Sequence, residues 1–187
     1  MIIEAYDDGY FPPAYKARRG RTVIVGITVE KPPVIRSAGY VAVTVDGRES
    51  TGSVISLSKI LGGDLVMLDG ITYAGFDIVD PYLVHEATGK PVIVVQYAPL
   101  DPGKIKHALF SHFVDAEERY RVIEKALLEY KPVSTPWRTV RLLPVGISFE
   151  EAVKLVRSYC VYSPIPEPLR IADKLASQIS KLLLIKL

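Results

Sequence analysis

Apolar residues in the first half of the chain come in short unbroken runs bounded by turn signals: Ile2 to Tyr6, Thr22 to Val29, Gly39 to Val45, Leu65 to Leu68 and Val92 to Tyr97. Runs of this length and character read as buried strands. The first stops at Asp7-Asp8-Gly9, a loop rich in Pro and Arg follows, and Lys31-Pro32-Pro33 separates the second run from the third. These connections are too short for a crossover helix, so the first three strands form an antiparallel meander. From Ser50 the period changes: Val54, Leu57, Ile60 and Leu61 sit at helical spacing, and Gly62-Gly63 stops the helix. A second short helix spans Tyr82 to Ala87 and closes at Gly89. Alternation of strand and helix here predicts parallel pairing with right-handed crossovers. The second half is mostly helical: Lys104 to Phe113, Ala116 to Tyr130 behind a capping box Asp115…Glu118, and Phe149 to Tyr159 behind Ser148…Glu151. A short strand is expected around Val140 to Leu143. Leu169, Ala172, Ala176, Ile179 and Leu183 give the closing helix its apolar stripe.

Composition narrows the class without naming a function. At 187 residues the chain supports one domain, 1–187, with a sizeable core. It is 49% hydrophobic and 24% charged, which leaves no room for a long disordered tail. A net charge of +2 announces no polyanionic partner, so any basic surface is local. Cys160 stands alone, which rules out an internal disulfide and favours a reducing, cytoplasmic setting. Glu4, Asp7 and Asp8 interrupt the N-terminus as a signal peptide, and no apolar run approaches the roughly 18 residues of a membrane span. There is no Asn and only Gln96 and Gln178, the depletion of heat-labile amides expected of a thermophile.

The acids carry the chemistry. In a meander the first and third strands point the same way, and the crossover helix brings the fourth parallel to them. One sheet edge therefore receives Asp7 from the first strand, Asp46 and Glu49 from beyond the third, and Asp69 from the end of the fourth. Ligands of open sheets gather outside the carboxyl ends of strands. If the first and fourth strands pair, Asp7 and Asp69 are about 4.8 Å apart, close enough to share one divalent ion. Hard oxygen donors select Mg²⁺ or Mn²⁺ over zinc, and the chain has no Cys and His cluster. Glu49 begins a helix, where the dipole also favours an acid. Asp8-Gly9 and Asp46-Gly47 are turn pairs, and Asp77 and Asp80 before Pro81 are helix-start residues. Asp173 lies on or beside the apolar stripe of the last helix, as an ion-pair partner of Arg170 or Lys174 or as a fourth ligand.

The segments DDGYF, VDGREST, VMLDGITYAGFDIVD, KPVIVVQY and IPEPLRIADKLA together resemble the archaeal family labelled domain of unknown function ninety-nine, a relative of endonuclease V. The resemblance covers nearly the whole chain. It implies an α/β, ribonuclease-H-like mixed five-stranded sheet of order 3-2-1-4-5, strand 2 antiparallel, flanked by helices. It also implies Asp7, Glu49, Asp69 and Asp173 as the metal-binding catalytic acids of a nuclease. Departures are visible: no Pro-Tyr-Ile-Pro wedge fits between Tyr40 and Gly47, Gln96 or Tyr97 stands where endonuclease V has an active-site Lys, and Ala74-Gly75-Phe76 replaces its His-Pro-Arg.

Lys16, Arg18, Arg19 and Arg21 fall between the first two strands, interleaved with Tyr10, Phe11 and Tyr15. Such a mixture either neutralises and stacks a nucleic-acid strand or is a solvated loop. Trp137, between Pro136 and Arg138, is expected to anchor packing. The leading function is a metal-dependent nuclease on DNA or RNA using Mg²⁺ or Mn²⁺. The alternative is a nucleic-acid-binding protein that keeps the fold and acids with weak or lost chemistry. A phosphotransfer protein of related fold needs a duplicated second half, and an Asp-nucleophile phosphatase needs Asp-x-Asp spacing that Asp7-Asp8-Gly9 lacks.

Overall fold

The computed structural model describes residues 1–31 and 33–184, without the side chains of Ala17 and Arg18; Pro32 and the last three residues of the expected 1–187 domain lie outside it. In chain order the elements are β1 (Ile3–Asp8), α1 (Ala14–Arg18), β2 (Arg21–Glu30), β3 (Val34–Thr44), α2 (Ser50–Leu61), β4 (Leu65–Asp69), β5 (Thr72–Tyr73), β6 (Asp77–Ile78), α3 (Pro81–Thr88), β7 (Val92–Gln96), α4 (Pro102–His112), α5 (Ala116–Glu129), β8 (Lys131–Ser134), β9 (Thr139–Val145), α6 (Phe149–Tyr159) and α7 (Glu167–Leu184). The main sheet runs β3-β2-β1-β4-β7-β9-β8, and β5 and β6 form a small separate ladder. Its first five strands carry the expected order, with β1 antiparallel to β2 and parallel to β4.

The expected five-stranded sheet is corrected to seven strands. β9 extends the short strand foreseen at Val140 to Leu143 and pairs antiparallel to β7, and β8 forms the outer edge. β8 reads Lys-Pro-Val-Ser, with Val133 its one buried residue, so it has no apolar run to betray it. Pro132 is tolerated because an edge strand has one unpaired side.

Parity along the strands sorts side chains to two cores. Ile3, Ala5, Leu65, Met67, Ile93 and Val95 enter the core closed by α6 and α7. Tyr6, Val66, Leu68, Val92 and Val94 enter the opposite one, under α2 and α5. Both faces are buried, which is why these strands read as continuous apolar runs rather than alternating ones. At the N-terminal ends of the parallel strands a buried acid is fully answered: Glu4 accepts from Gly63 N and Lys90 Nζ, both at 2.6 Å, and from the Tyr6 hydroxyl at 2.9 Å. Lys90 also donates to Ser58 O at 2.8 Å. No helix among the described residues is long and apolar enough to cross a membrane.

Candidate functional site

β1 and β4 pair from Ile3 with Leu65 to Tyr6 with Leu68. One step further along that register brings Asp7 beside Asp69, a strand spacing of about 4.8 Å apart. Parity decides where they look. Ile3 and Ala5 on β1, and Leu65 and Met67 on β4, face α7, so Asp7 and Asp69 face it too. α7 crosses there with Ala172 and Ala176 in the core and Asp173 beside them, 49% exposed and 3.3 Å from the Lys174 ammonium. Tyr97, one residue past β7, packs on the same core and buries its hydroxyl beside the Asp69 carboxylate without closing a hydrogen bond. Below the pair, the buried Tyr73 hydroxyl donates to Tyr6 O at 2.9 Å and accepts from Asp69 N at 3.1 Å, locking the ends of β1 and β4 together. Gly70 then turns the chain away with φ +66°, a region glycine enters without strain.

Of the acids at this rim, Asp173 is paired with Lys174, while Asp7, Asp8 and Asp69 have no protein counter-charge among the described residues. Asp7 is 8% exposed. Burial, and then the carboxylates of Asp69, Asp8 and Asp173, hold its carboxyl above the ordinary range. Burial, then Asp8 and Asp173, raise that of Asp69. Among the described residues no Lys, Arg or His closes an ion pair with Asp7, Asp8 or Asp69. Nor does any group of three His, Cys, Asp or Glu among them stand ready to hold a metal ion. What the rim presents is a buried and a half-buried carboxylate side by side, a third acid across from them on α7, and an unpartnered hydroxyl. Oxygen donors of this kind suit a hard divalent cation.

Glu49 is not brought to this pair. Its carboxylate folds back over the start of α2 to accept from Thr44 N and Thr44 Oγ1, both at 2.9 Å. Asp8, read from the sequence as a turn residue, ends β1 on the opposite parity and accepts from Ala74 N at 2.8 Å. Its carboxyl is pushed up to about 6, by burial first and also by Asp173, so it adds to the rim's negative field. Asp46 is the turn residue expected, with φ +59° and its carboxylate on Phe76 N at 2.8 Å. Asp80 caps α3 through Tyr82 N and Leu83 N. Asp77 is a helix-start residue of a different helix: from β6 it accepts Glu49 N at 3.0 Å and Ser50 N at 3.1 Å, capping α2. Of the acids between Val66 and Asp80, then, Asp69 alone faces the rim.

Beside Glu49 opens a cavity of about 1150 Å³, lined by Lys16, Arg19, Arg48 and Arg119 and by Phe76 and Phe113. The two rings meet edge to face, centroids 5.8 Å apart. Arg119 reaches from α5 to Asp46 O at 3.1 Å and to Phe76 O, and pairs with Asp115 at 2.8 Å. Arg48 joins Asp115 at 2.6 Å. The expected capping box at Asp115 is thus corrected: its carboxylate caps nothing because two guanidinium groups occupy it. Of the other expected nucleic-acid contacts, Tyr10 is half exposed beneath the Lys181 ammonium, Phe11 is half-buried, and Arg21 lies along β3 donating to Ala42 O at 2.9 Å. The Arg18 side chain lies outside the described residues. Trp137 is no packing anchor: it is 54% exposed at the β8–β9 turn.

A mixed sheet of this order flanked by helices has the endonuclease V-like α/β fold. Bacillus subtilis endonuclease V matches with a TM-score of 0.66 at 15% identity, covering 99% of this chain and 82% of that one. Ciona intestinalis endonuclease V, in complex with a 24mer DNA containing an inosine followed by a ribo-adenosine, matches at 0.63 and 14% identity over 97% and 87%. A protein from Archaeoglobus fulgidus gives 0.79 at 23% identity over 95% and 97%. Within that class, the family described as Endonuclease dU matches residues 1–180, and the chain belongs to it. UPF0215 proteins of Pyrococcus furiosus and Thermococcus gammatolerans are 37% and 35% identical over 96% and 95% of the chain and 92% and 91% of their own lengths.

Proposed function

We propose that the chain is a metal-dependent nuclease, a single endonuclease V-like domain that hydrolyses nucleic-acid phosphodiesters at the Asp7–Asp69 rim. The observation that carries this reading is the pair of Asp7, buried, and Asp69, half-buried, which have no cation partner among the described residues and face a third acid, Asp173, on α7. Asp7 and Asp69 would hold Mg²⁺ or Mn²⁺, joined by Asp173 from α7 and by Glu49 once its carboxylate leaves Thr44. When bound, such an ion supplies an acidified water and neutralises the oxygen that departs from phosphorus. The Tyr97 hydroxyl is positioned to donate to Asp69 and fix its orientation. Lys16, Arg18, Arg19 and Arg21 neutralise phosphates, with Tyr10 and Phe11 beside them, and Lys16 and Arg19 carry most of that role because they line the cavity.

The family's name points to a DNA strand carrying deoxyuridine as the first substrate to try, and inosine-containing DNA is the natural comparator. The test is cleavage of single- and double-stranded DNA and RNA, plain, deoxyuridine-containing and inosine-containing, with Mg²⁺ or Mn²⁺. Cleavage is expected to need the ion and to fall by more than about 100-fold in Asp69→Asn and Asp7→Asn. Activity surviving Asp69→Ala would overturn the assignment. A second reading, a nucleic-acid-binding protein with weak chemistry, is favoured by the seat of Glu49 on Thr44; tight binding of these oligonucleotides without cleavage would select it.

A further inference from the structure

We infer that the β8–β9 hairpin is a second nucleic-acid contact, in which Trp137 stacks on an unpaired base and Arg138 and Arg141 hold the adjoining phosphates. The inference rests on the nuclease reading of the rim and names the substrate as a strand with unstacked bases several nucleotides from the reacting phosphate.

The sheet's register puts the hairpin there. β4 pairs parallel with β7, aligning Asp69 with Val95, and β7 pairs antiparallel with β9, aligning Val95 with Leu142. Leu142 is thus two strands from Asp69, about 10 Å. From Leu142 back to Thr139, β9 climbs past the carboxyl rim, and the turn 135–138 projects beyond it. At about 3.3 Å per residue the tip stands on the order of 20 Å from Asp69. A stacked strand covers that span with about six nucleotides at 3.4 Å each.

Its construction suits recognition. Thr135 locks the turn: its hydroxyl donates to Arg138 O at 2.7 Å and accepts from Trp137 N at 3.3 Å and Arg138 N at 3.2 Å, while Thr135 N donates to Arg138 O at 3.1 Å. Arg157 of α6 braces the base of the turn through Ser134 O at 3.0 Å. On this rigid platform Trp137 is 54% exposed, and Arg138 next to it and Arg141 further along β9 are exposed and without an ion-pair partner among the described residues. A half-bare indole with two unpaired guanidinium groups on the strand that follows it, at the edge that carries the acids, complements a polyanion whose bases present flat faces. Stacking on a rigid aromatic costs little ordering entropy.

Trp137 is the chain's one tryptophan, so its emission reports this contact alone. Labelled single-stranded DNA is titrated into the full chain in EDTA, following label anisotropy and tryptophan emission together, and cleavage with Mg²⁺ is measured separately. Binding is expected to quench or shift the emission. Trp137→Ala is expected to weaken binding by about 5- to 100-fold and Trp137→Phe by much less. Arg138→Ala with Arg141→Ala is expected to flatten the dependence of log affinity on log salt by about one to two. Binding that leaves the emission unchanged, with Trp137→Ala at wild-type affinity, overturns the hairpin contact; if cleavage then still depends on Asp69, the nuclease reading survives. A wild-type chain that neither binds nor cleaves any strand overturns both.

Discussion

Asp7 and Asp8 are neighbours in sequence and opposites in surroundings. Strand parity turns Asp7 toward α7 and Asp69, and turns Asp8 toward the Ala74 amide. Burial and mutual repulsion raise the carboxyls of Asp7, Asp8 and Asp69, that of Asp8 from 3.8 to about 6. The folded state therefore holds protons that the unfolded chain has already released. The contribution of these three carboxyls to metal-free stability is accordingly full below the unfolded value of 3.8 and is lost as pH rises through the folded values, to about 6 for Asp8 and further for Asp7 and Asp69. Thermal melts in EDTA between pH 4 and pH 9, run as a series, are expected to show this decline; a midpoint that climbs over that interval would contradict it. Mg²⁺ added at the alkaline end is expected to recover the loss in the wild type and not in Asp7→Asn. A second residue prediction concerns Gly75, at φ +91°, where a Cβ would run into the Asp46 carboxylate. Gly75→Ala is expected to cost about 1–3 kcal/mol in urea unfolding.

Elements here are tied across sequence more than within it. α2 has no cap of its own making, since Glu49 at its N-cap gives its side chain to Thr44 and the helix relies on Asp77 from β6. Asp77→Ala should therefore cost about 0.5–2 kcal/mol, the usual value of a lost cap, and chemical denaturation checks it. It should also shift Glu49, whose own amide Asp77 holds. The floor of the sheet offers a sharper case. Lys90→Ala leaves Glu4 buried without its ammonium and is expected to destabilise by about 3–5 kcal/mol. Strand order was legible because connection lengths and apolar runs leave few topologies, and Ser148 and Glu151 form the capping box their spacing promised. β8 and the occupant of Asp115 were not, because a four-residue edge strand has no period, and the Arg48 that takes Asp115 lies 67 residues away in sequence.

In the whole molecule, the two halves of the chain meet at Arg119, which carries α5 to the loops at Asp46 and Phe76. Its replacement by Met is expected to loosen the cavity and lower the melting temperature, with Asp115 left to Arg48 alone. The acid pair was partly legible: the edge that collects Asp7 and Asp69 follows from topology, and the shared parity of Ile3, Ala5, Asp7 with Leu65, Met67, Asp69 was there to be counted. The position of Glu49 was not, because a rotamer answering to the Thr44 hydroxyl leaves no trace in spacing. Nor was the exposure of Trp137, which depends on how far β9 runs beyond its partner. β1 carries Glu4 at one end and Asp7 at the other, the first sealed into a closed circuit of protein donors, the second open to whatever cation arrives. On the proposed metal reading, a chelator acts on half a strand. Deuterium uptake with and without EDTA would divide β1 between Ala5 and Asp7, leaving the lower amides indifferent to the ion and making the upper ones its gauge.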